Sequence, residues 1–241
     1  MVINRYFCST LGENEIILSE DEHHHLTKVC RQKKGEEVEV IDGKGHLFKA
    51  KIKEIQRHKT HLEIFSFSHT PPTRKFTLVQ GLCRQNRLDL ILEKGCEIGV
   101  DQFIIIPMDR SETHTLSENR LSRMHRILQC ALKQSGRLHL PSLSILSTLH
   151  SIPNIEQVYF GDLSADALPF HPKIKETPLT FVVGPESGFS DEERLWLKTK
   201  GIGVRLNPNI LRTETAAIVA AALYFGIQDQ AALIEEGESL K

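Results

Sequence analysis

Long hydrophobic runs are missing from this chain of 241 residues. No apolar stretch approaches the roughly 20 residues needed to span a bilayer, and the N-terminus carries no basic-then-apolar export pattern. Paired cysteine motifs are missing as well. Cys8, Cys30, Cys83, Cys96 and Cys130 are scattered, odd in number and without CxxC spacing. That counts against a disulfide framework or a structural zinc and for a reducing compartment. A cytoplasmic protein without membrane attachment is expected. Charge of one sign is also lacking: 30 Lys+Arg balance 31 Asp+Glu to a formal net charge of −1, so composition alone points to no polyanionic partner. Neither an internal repeat nor a low-complexity tract is present.

What is there reads as two regions. The first seventy residues are mainly β, with strands expected at Arg5–Cys8, Glu15–Leu18, Glu37–Ile41, Leu47–Ile55 and His61–Phe67. Several alternate apolar and polar residues, as half-buried antiparallel strands do. One helix, capped at Ser19 and running to about Cys30, interrupts them, and a small barrel over residues 1–70 is the expectation. Thr70-Pro71-Pro72-Thr73 is linker chemistry. Beyond it strands and helices alternate: strand Phe76–Gly81, helix Arg87–Ile98, strand Gln102–Pro107, helix Ser117–Ser135, then strands Gln157–Gly161 and Leu179–Val183. This is α/β patterning with a mostly parallel sheet, expected over residues 74–230 and followed by an acidic tail, 231–241, with Glu235, Glu236 and Glu238.

Two turns in the second region carry the chemistry. Phe181-Val182-Val183 runs into Gly184-Pro185-Glu186-Ser187-Gly188-Phe189-Ser190. Gly184 and Gly188 remove side chains where the backbone must bend or approach a ligand, and Pro185 fixes a dihedral between them. Ser190 with Glu193 reads as a capping box opening a helix to about Lys200. The turn is no nucleophile elbow, because Ser187 directly precedes the second glycine. It is no P-loop either, because it holds no lysine. The second turn follows a short strand, Gly203–Leu206: Asn207-Pro208-Asn209 leads through Leu211 and Arg212 into a helix from about Thr213 rich in Ala216, Ala217, Ala220, Ala221 and Ala222. Glu214 at its entrance suits the helix dipole. Small residues at helical spacing let backbones approach, which suits a partner helix. In parallel sheets ligands sit beyond the carboxyl ends of strands, so turns at neighbouring strand ends would enclose one small molecule.

Basic residues cluster despite the neutral total. Lys28, Arg31, Lys33 and Lys34 lie near the start, and Arg120, Arg123, Arg126, Lys133 and Arg137 recur along a later helix. A polyanion contact and a solvated helix face explain these equally. His23-His24-His25 point about 100° apart on a helix and cannot converge on one ion, so no metal is expected.

GPESGFSDEE and LNPNILRTETAAIVAAAL together resemble the cofactor-binding signature of the SPOUT methyltransferases, and most closely the RsmE family. The likeness continues through His24-His25-Leu26 to Arg31, Lys34-Gly35-Glu36, the segment Glu93 to Val100, Pro107 to Ser111, and Gln134-Ser135-Gly136-Arg137, so it covers nearly the whole chain. Ser187 and Asn207 stand where that family usually has glycine, and Cys96 where threonine is common. The resemblance implies a PUA-like RNA-binding barrel, a SPOUT-type sheet closed by a C-terminal trefoil knot, a homodimer, and S-adenosylmethionine-dependent methylation of ring nitrogen 3 of one uridine in the 16S ribosomal RNA of the small ribosomal subunit. The implied cofactor-binding residues are Gly161, Val183, Gly184, Pro185, Glu186, Gly188, Leu206, Leu211, Arg212 and Thr213. Arg31, Lys33, Lys34 and Arg137 are the implied RNA-binding residues.

Uridine nitrogen 3 carries a proton at neutral pH, so the acceptor needs a base or a cation that stabilises the uridinate. Arg212 or Arg110 would supply the charge, with Glu97 or Glu186 as base or orienting carboxylate. Two other readings remain at this point: a non-catalytic RNA-binding or ribosome-assembly protein, favoured by Ser187 and Asn207, and a methyltransferase for another RNA position.

Overall fold

The computed structural model describes residues 4–9, 12, 15–72, 76–152, 157–165, 167–171 and 178–238, with side chains to 229. Thr73 of the expected linker and residues 239–241 of the expected tail lie outside them. The chain divides into two compact units, Met1–Thr73 with Gln129–Leu140 and Arg74–Leu128 with Pro141–Lys241.

In the first unit, β1 (Arg5–Phe7), β2 (Glu15–Ser19), β3 (Glu37–Ile41), β4 (His46–Ile55) and β5 (Lys59–His69) form one sheet in the order β1-β3-β4-β5-β2. Only the β1–β3 pair is parallel. Alternation along the strands turns Ile16, Leu18, Val38, Val40, Ala50, Ile52 and Leu62 inward, where they pack with Tyr6 and Leu26 as the core of a small curled sheet. The expected single helix after Ser19 is instead one α turn, α1 (Glu20–His24), passing into a wide π turn at His25–Val29. Ser19 makes no side-chain cap bond. The wide turn lets Leu26 reach the core at 0% exposure while the His25 ring meets Tyr6 edge-on at 5.8 Å. The Gln129–Leu140 stretch joins this unit through the Leu140 N–H to the Gly43 carbonyl (2.8 Å), the Gly45 N–H to the Leu138 carbonyl (3.0 Å) and a Lys133–Glu22 ion pair (2.5 Å).

The second unit holds β6 (Phe76–Gly81), α2 (Gln85–Ile98), β7 (Gln102–Ile106), the first part of α3 (Glu118–Ser135), β8 (Ser142–Ile145), β9 (Val158–Gly161), β10 (Leu168–Pro169), β11 (Leu179–Val183), α4 (Asp191–Lys200), β12 (Gly201–Arg205) and α5 (Thr213–Glu238). Its seven strands run β10-β12-β9-β11-β6-β7-β8, and every pairing is parallel. β6, β7 and β11 are covered on both faces and accordingly read as near-continuous apolar runs. The sequence reading missed β8 and β10. Both lie towards or at the sheet edges, and neither Ser-Leu-Ser-Ile nor Leu-Pro carries a run that separates a strand from a loop.

One expectation is corrected here. The strands preceding the two signature turns, β11 and β12, are not neighbours: β9 lies between them. α5 finds the expected partner helix, α2, within its own unit. Ala217, Ala220 and Ala221 are at most 1% exposed, and the helix packs on α2, β6 and β11 of its own unit. The Phe225 ring lies where a Cβ on Gly99, at the end of α2, would clash at 2.7 Å. α5 also continues to Glu238, so Glu235, Glu236 and Glu238 lie on a helical backbone.

Candidate active site

The carboxyl ends of β11, β9 and β12 open into a cavity of about 510 Å³, within the range of small-molecule sites. Its first wall is the turn after β11. The Gly188 N–H closes that turn on the Pro185 carbonyl at 3.0 Å, and Gly188 sits at φ +72, where a side chain is strained. A Cβ on Gly184 would come within 3.2–3.3 Å of the Gly188 and Phe189 backbone. Ser187 is not among the described non-glycine residues at positive φ, which are Glu20, Arg31 and Gln157, and neither is Asn207. Glycine is therefore not required at either position, and the local objection to a working turn falls away. Asn207 instead uses its side chain, whose Oδ1 accepts the Asn209 N–H at 2.9 Å.

The second wall runs from Val204 to Thr213, and the third follows β9 as Gly161, Asp162 and Leu163. Val183, Gly184, Pro185, Glu186, Gly188, Leu206, Leu211, Arg212 and Thr213 all line the cavity, as does Arg110. Burial would raise the Asp162 carboxyl. Hydrogen bonding from Ser164 and the cations Arg194 (3.6 Å) and Lys198 (4.0 Å) outweigh that and hold it below the usual carboxylate range. Asp162 is thus a fixed negative charge at one edge.

Glu97 does not reach the site. It lies on α2 and accepts from Lys94 at 2.9 Å within its own helix, and it is not among the cavity residues. The Lys94 ammonium, one helical turn away, takes up the carboxylate before any long-range partner can. Glu186 does line the cavity. Its Oε1 accepts the Arg84 N–H at 3.0 Å, and Arg87 bridges Glu186 (3.5 Å) and Glu214 (3.4 Å). Below them burial, reinforced by Glu186 and Glu214, pushes the Cys83 thiol up to about 12. A thiol held protonated in this way is no nucleophile.

Sequence reasoning missed the residues that hold the walls together. Gln80, buried at the end of β6, donates through Nε2 to the Gly81 carbonyl (2.9 Å), the Gly184 carbonyl (3.3 Å) and Thr213 Oγ1 (2.9 Å). Thr213 Oγ1 in turn donates to the Gly184 carbonyl at 2.6 Å. One amide and one hydroxyl thus join β6, β11 and the start of α5. Thr213→Val keeps the shape and removes the hydroxyl, leaving a buried acceptor and a buried donor short of partners. It is expected to cost about 1–3 kcal/mol, a fall in Tm of roughly 3–10 °C, whereas Thr213→Ser should stay near wild type in the same melting experiment.

The capping box at Ser190 forms as expected, and its members have second tasks. Glu193 accepts the Ser190 N–H through Oε2 (2.8 Å) and the Asp109 N–H through Oε1 (2.9 Å), and Ser190 Oγ donates to Asp109 Oδ2 (2.5 Å). Arg110 Nη1 reaches the Ser187 carbonyl at 3.4 Å. The loop after β7 is therefore fastened to the first wall with Arg110 beside it.

Of the residues implied for RNA, Arg31, Lys33 and Lys34 are exposed in the first unit, which also contains Arg137, half-buried and beyond the end of α3. The basic stripe on α3 is largely spent. Arg123 pairs with Asp89 at 2.8 Å, Arg120 Nε donates to Gln85 Oε1, and Lys133 is held by Glu22. In the histidine run, His23 Nδ1 meets Thr60 Oγ1 (2.8 Å) and His25 Nε2 meets Cys30 Sγ (3.6 Å). Among the described residues no group of three or more His, Cys, Asp or Glu is placed to hold a metal ion, and no helix is long and apolar enough to cross a membrane.

Comparison with known proteins agrees with this geometry. A family model described as an RNA methyltransferase domain matches residues 70–224, and one described as an RNA methyltransferase PUA domain matches residues 18–65. The ribosomal RNA small subunit methyltransferase E of Aquifex aeolicus is 31% identical over 213 residues, covering 85% of this chain and 91% of that protein. Its counterpart from Rickettsia conorii is 30% identical over 236 residues, covering 92% and 95%. The crystal structure of a ribosomal RNA small subunit methyltransferase E from Neisseria gonorrhoeae bound to S-adenosyl methionine superposes with a TM-score of 0.82 at 25% identity, covering 92% of this chain and 96% of that one. The cavity, the turns that wall it and these matches lead to one assignment: the chain belongs to the RNA methyltransferase family that includes the ribosomal RNA small subunit methyltransferases E, the RsmE family.

Proposed function

We propose that this chain transfers a methyl group from S-adenosylmethionine to ring nitrogen 3 of one uridine in the 16S rRNA of the small ribosomal subunit. The observation that carries the reading is the cavity closed by backbone-lined turns at Gly184–Gly188 and Leu206–Thr213, with Arg212 and Arg110 among its lining residues. The sulfonium cofactor supplies an activated methyl group, so neither a metal nor a nucleophilic side chain is needed. The glycine turn presents N–H and carbonyl groups at close range, as recognition of a nucleoside requires, and Gly161 forms the third side. The guanidinium of Arg212 stabilises the charge that spreads over the carbonyl oxygens of the uracil ring as nitrogen 3 loses its proton. Arg110, tethered to the first wall, orients the acceptor, and Glu186, the carboxylate that remains once Glu97 is set aside, takes the nitrogen 3 proton as base or orients the ring for its loss to solvent.

In this reading residues 1–70 are the RNA-binding barrel, with Arg31, Lys33, Lys34 and Arg137 on phosphate, and residues 74–230 are the methyltransferase domain preceding an acidic tail. The enzyme is a cytoplasmic homodimer and its C-terminal threading is a trefoil knot. The dimer and the knot rest on the SPOUT resemblance, since Ala217, Ala220 and Ala221 of α5 are buried within its own unit.

Calorimetric titration with S-adenosylmethionine is expected to show saturable binding. No heat of binding up to about 1 mM, the upper end of ordinary substrate affinities, would favour a non-catalytic RNA-binding protein. Mapping the nucleotide that loses its methyl group in a deletion strain then decides the position.

A further inference from the structure

The third wall holds charges that the proposed reaction leaves idle. Asp162 follows β9 directly and is seated by the backbone around it. Its N–H donates to the Val204 carbonyl at 2.9 Å, and its Oδ1 accepts the Ser164 N–H at 3.1 Å. The side chain is 5% exposed. Gly203 leaves room for it, since a Cβ there would stand 2.8 Å from Asp162 Oδ2. Two cations reach it from α4: Arg194 Nη1 lies 3.6 Å from Oδ1 and Lys198 Nζ 4.0 Å from Oδ2. They are four residues apart and so share one face of the helix. The capping box fixes where that face begins, for the Arg194 N–H bonds the Ser190 carbonyl at 2.9 Å.

Arg194 is short of acceptors. It lines the cavity with Asp162, yet their contact at 3.6 Å is longer than a hydrogen bond. Its Nε is buried and finds no hydrogen-bond partner among the described residues. A buried donor left unmade is costly and calls for an explanation, and an acceptor brought by a ligand supplies one. Other arginines of the cavity are engaged: Arg87 bridges Glu186 and Glu214, and Arg110 is tethered to the Ser187 carbonyl.

The pattern of charge names the group. Asp162, Arg194 and Lys198 place one negative charge beside two positive ones. An RNA phosphate carries a single sign and would be repelled by Asp162. The amino acid end of S-adenosylmethionine carries both signs on one carbon, an ammonium and a carboxylate. Backbone groups of the first two walls suit the uncharged nucleoside, and the paired charges of the third suit this arm.

We propose that Asp162 and Arg194 are the subsite for the α-amino acid end of S-adenosylmethionine, Asp162 taking the ammonium and Arg194 the carboxylate, with Lys198 adding positive charge. This rests on the reading of the chain as an S-adenosylmethionine-dependent methyltransferase. A guanidinium can meet a carboxylate through two parallel N–H donors, which fixes the orientation of the arm as well as its position. Anchoring both nucleoside and arm removes freedom from the sulfonium between them.

The test uses two thioethers of the same nucleoside: S-adenosylhomocysteine, which keeps the arm, and methylthioadenosine, which lacks it. Calorimetry on the full chain is expected to give S-adenosylhomocysteine a Kd about ten- to a hundred-fold lower. Arg194→Met keeps an apolar stem and should remove most of that preference, leaving the methylthioadenosine Kd within about two-fold. Asp162→Asn, which retains the acceptor for the Ser164 N–H, should act in the same direction, and Arg194→Lys should recover part of the loss. Methylthioadenosine affinity reports whether the walls are intact. Should Arg194→Met bind neither ligand, Arg194→Lys and Asp162→Asn carry the comparison. Equal weakening of both ligands, or a preference unchanged within about two-fold, overturns the proposal. So does full S-adenosylhomocysteine affinity in Arg194→Met with a raised KM for small ribosomal subunits, which would give the guanidinium to an RNA phosphate. An unaltered protein that binds neither ligand overturns the methyltransferase reading and the subsite together. One that prefers S-adenosylhomocysteine through Arg194 yet transfers no methyl overturns that reading and leaves the subsite standing.

Discussion

Arg212→Ala is expected to lower kcat for methyl transfer by about two to three orders of magnitude, while affinity for S-adenosylmethionine stays within a few-fold. The division follows from what each part of Arg212 does. Its carbonyl accepts the Ala216 N–H at 2.8 Å and starts α5, and alanine preserves that bond. Its side chain is exposed and lines the cavity, so removing it leaves the wall in place and takes away a positive charge. In the proposed reaction that charge matters most when the uracil ring has lost its proton, and an interaction made only in the transition state appears in kcat rather than in KM. Arg212→Lys restores the charge but not the planar fork and should recover part of the rate. Single-turnover methylation of small subunits is the measurement, and full turnover in Arg212→Ala would remove the residue from the mechanism. Arg110→Ala should raise the KM for RNA more than it lowers kcat.

Gly81→Ala is expected to abolish measurable cofactor binding and to lower Tm. A Cβ at position 81 would stand 2.5 Å from the Pro185 nitrogen and 2.9 Å from the Gly184 carbonyl carbon. Both are backbone atoms of the first wall, so no side-chain rotation relieves the overlap. Overpacking of this kind costs about 1–3 kcal/mol, and it pushes the glycine turn into the space the ligand is to occupy. Gly161→Ala is the control, since its Cβ would meet nothing within 4 Å. That variant should melt like wild type, and loss of cofactor affinity there would place the ligand against the Gly161 backbone. Calorimetry and differential scanning on the two variants separate strain in the wall from occlusion of the pocket. Normal cofactor affinity in Gly81→Ala would mean that the first wall does not touch the cofactor.

Both predictions show which features could be read from the chain. The ends of β6 and β11, the capping box at Ser190 and the turn around Asn207 depend on residues close in sequence, and the turn chemistry and apolar runs located them. Gly81 was legible only as a strand terminus. What makes it essential is Pro185, 104 positions away in numbering, and no local pattern encodes such an encounter. The same holds for Gln80 with Thr213 and for Asp109 with Glu193, where sequence separations are 133 and 84. Placement of β9 between β11 and β12 was hidden because strand order is decided by packing rather than by any one strand's composition. The role of the arginines at 120 and 123 stayed open for a related reason. Their spacing on α3 is visible, but the Gln85 and Asp89 that claim them lie on another helix.

The bonds from Gln80 to Thr213, and from both to Gly184, also bear on how the molecule comes into being. β6 leaves the ribosome more than a hundred residues before α5 does, so a growing polypeptide can pair its sheet long before the last helix arrives to complete the hollow. Loop-closure entropy for so distant a partner is spent only at that final docking. Competence to bind a small molecule therefore arises late and all at once, and a chain cut short ahead of Thr213 would carry strands but no binding site.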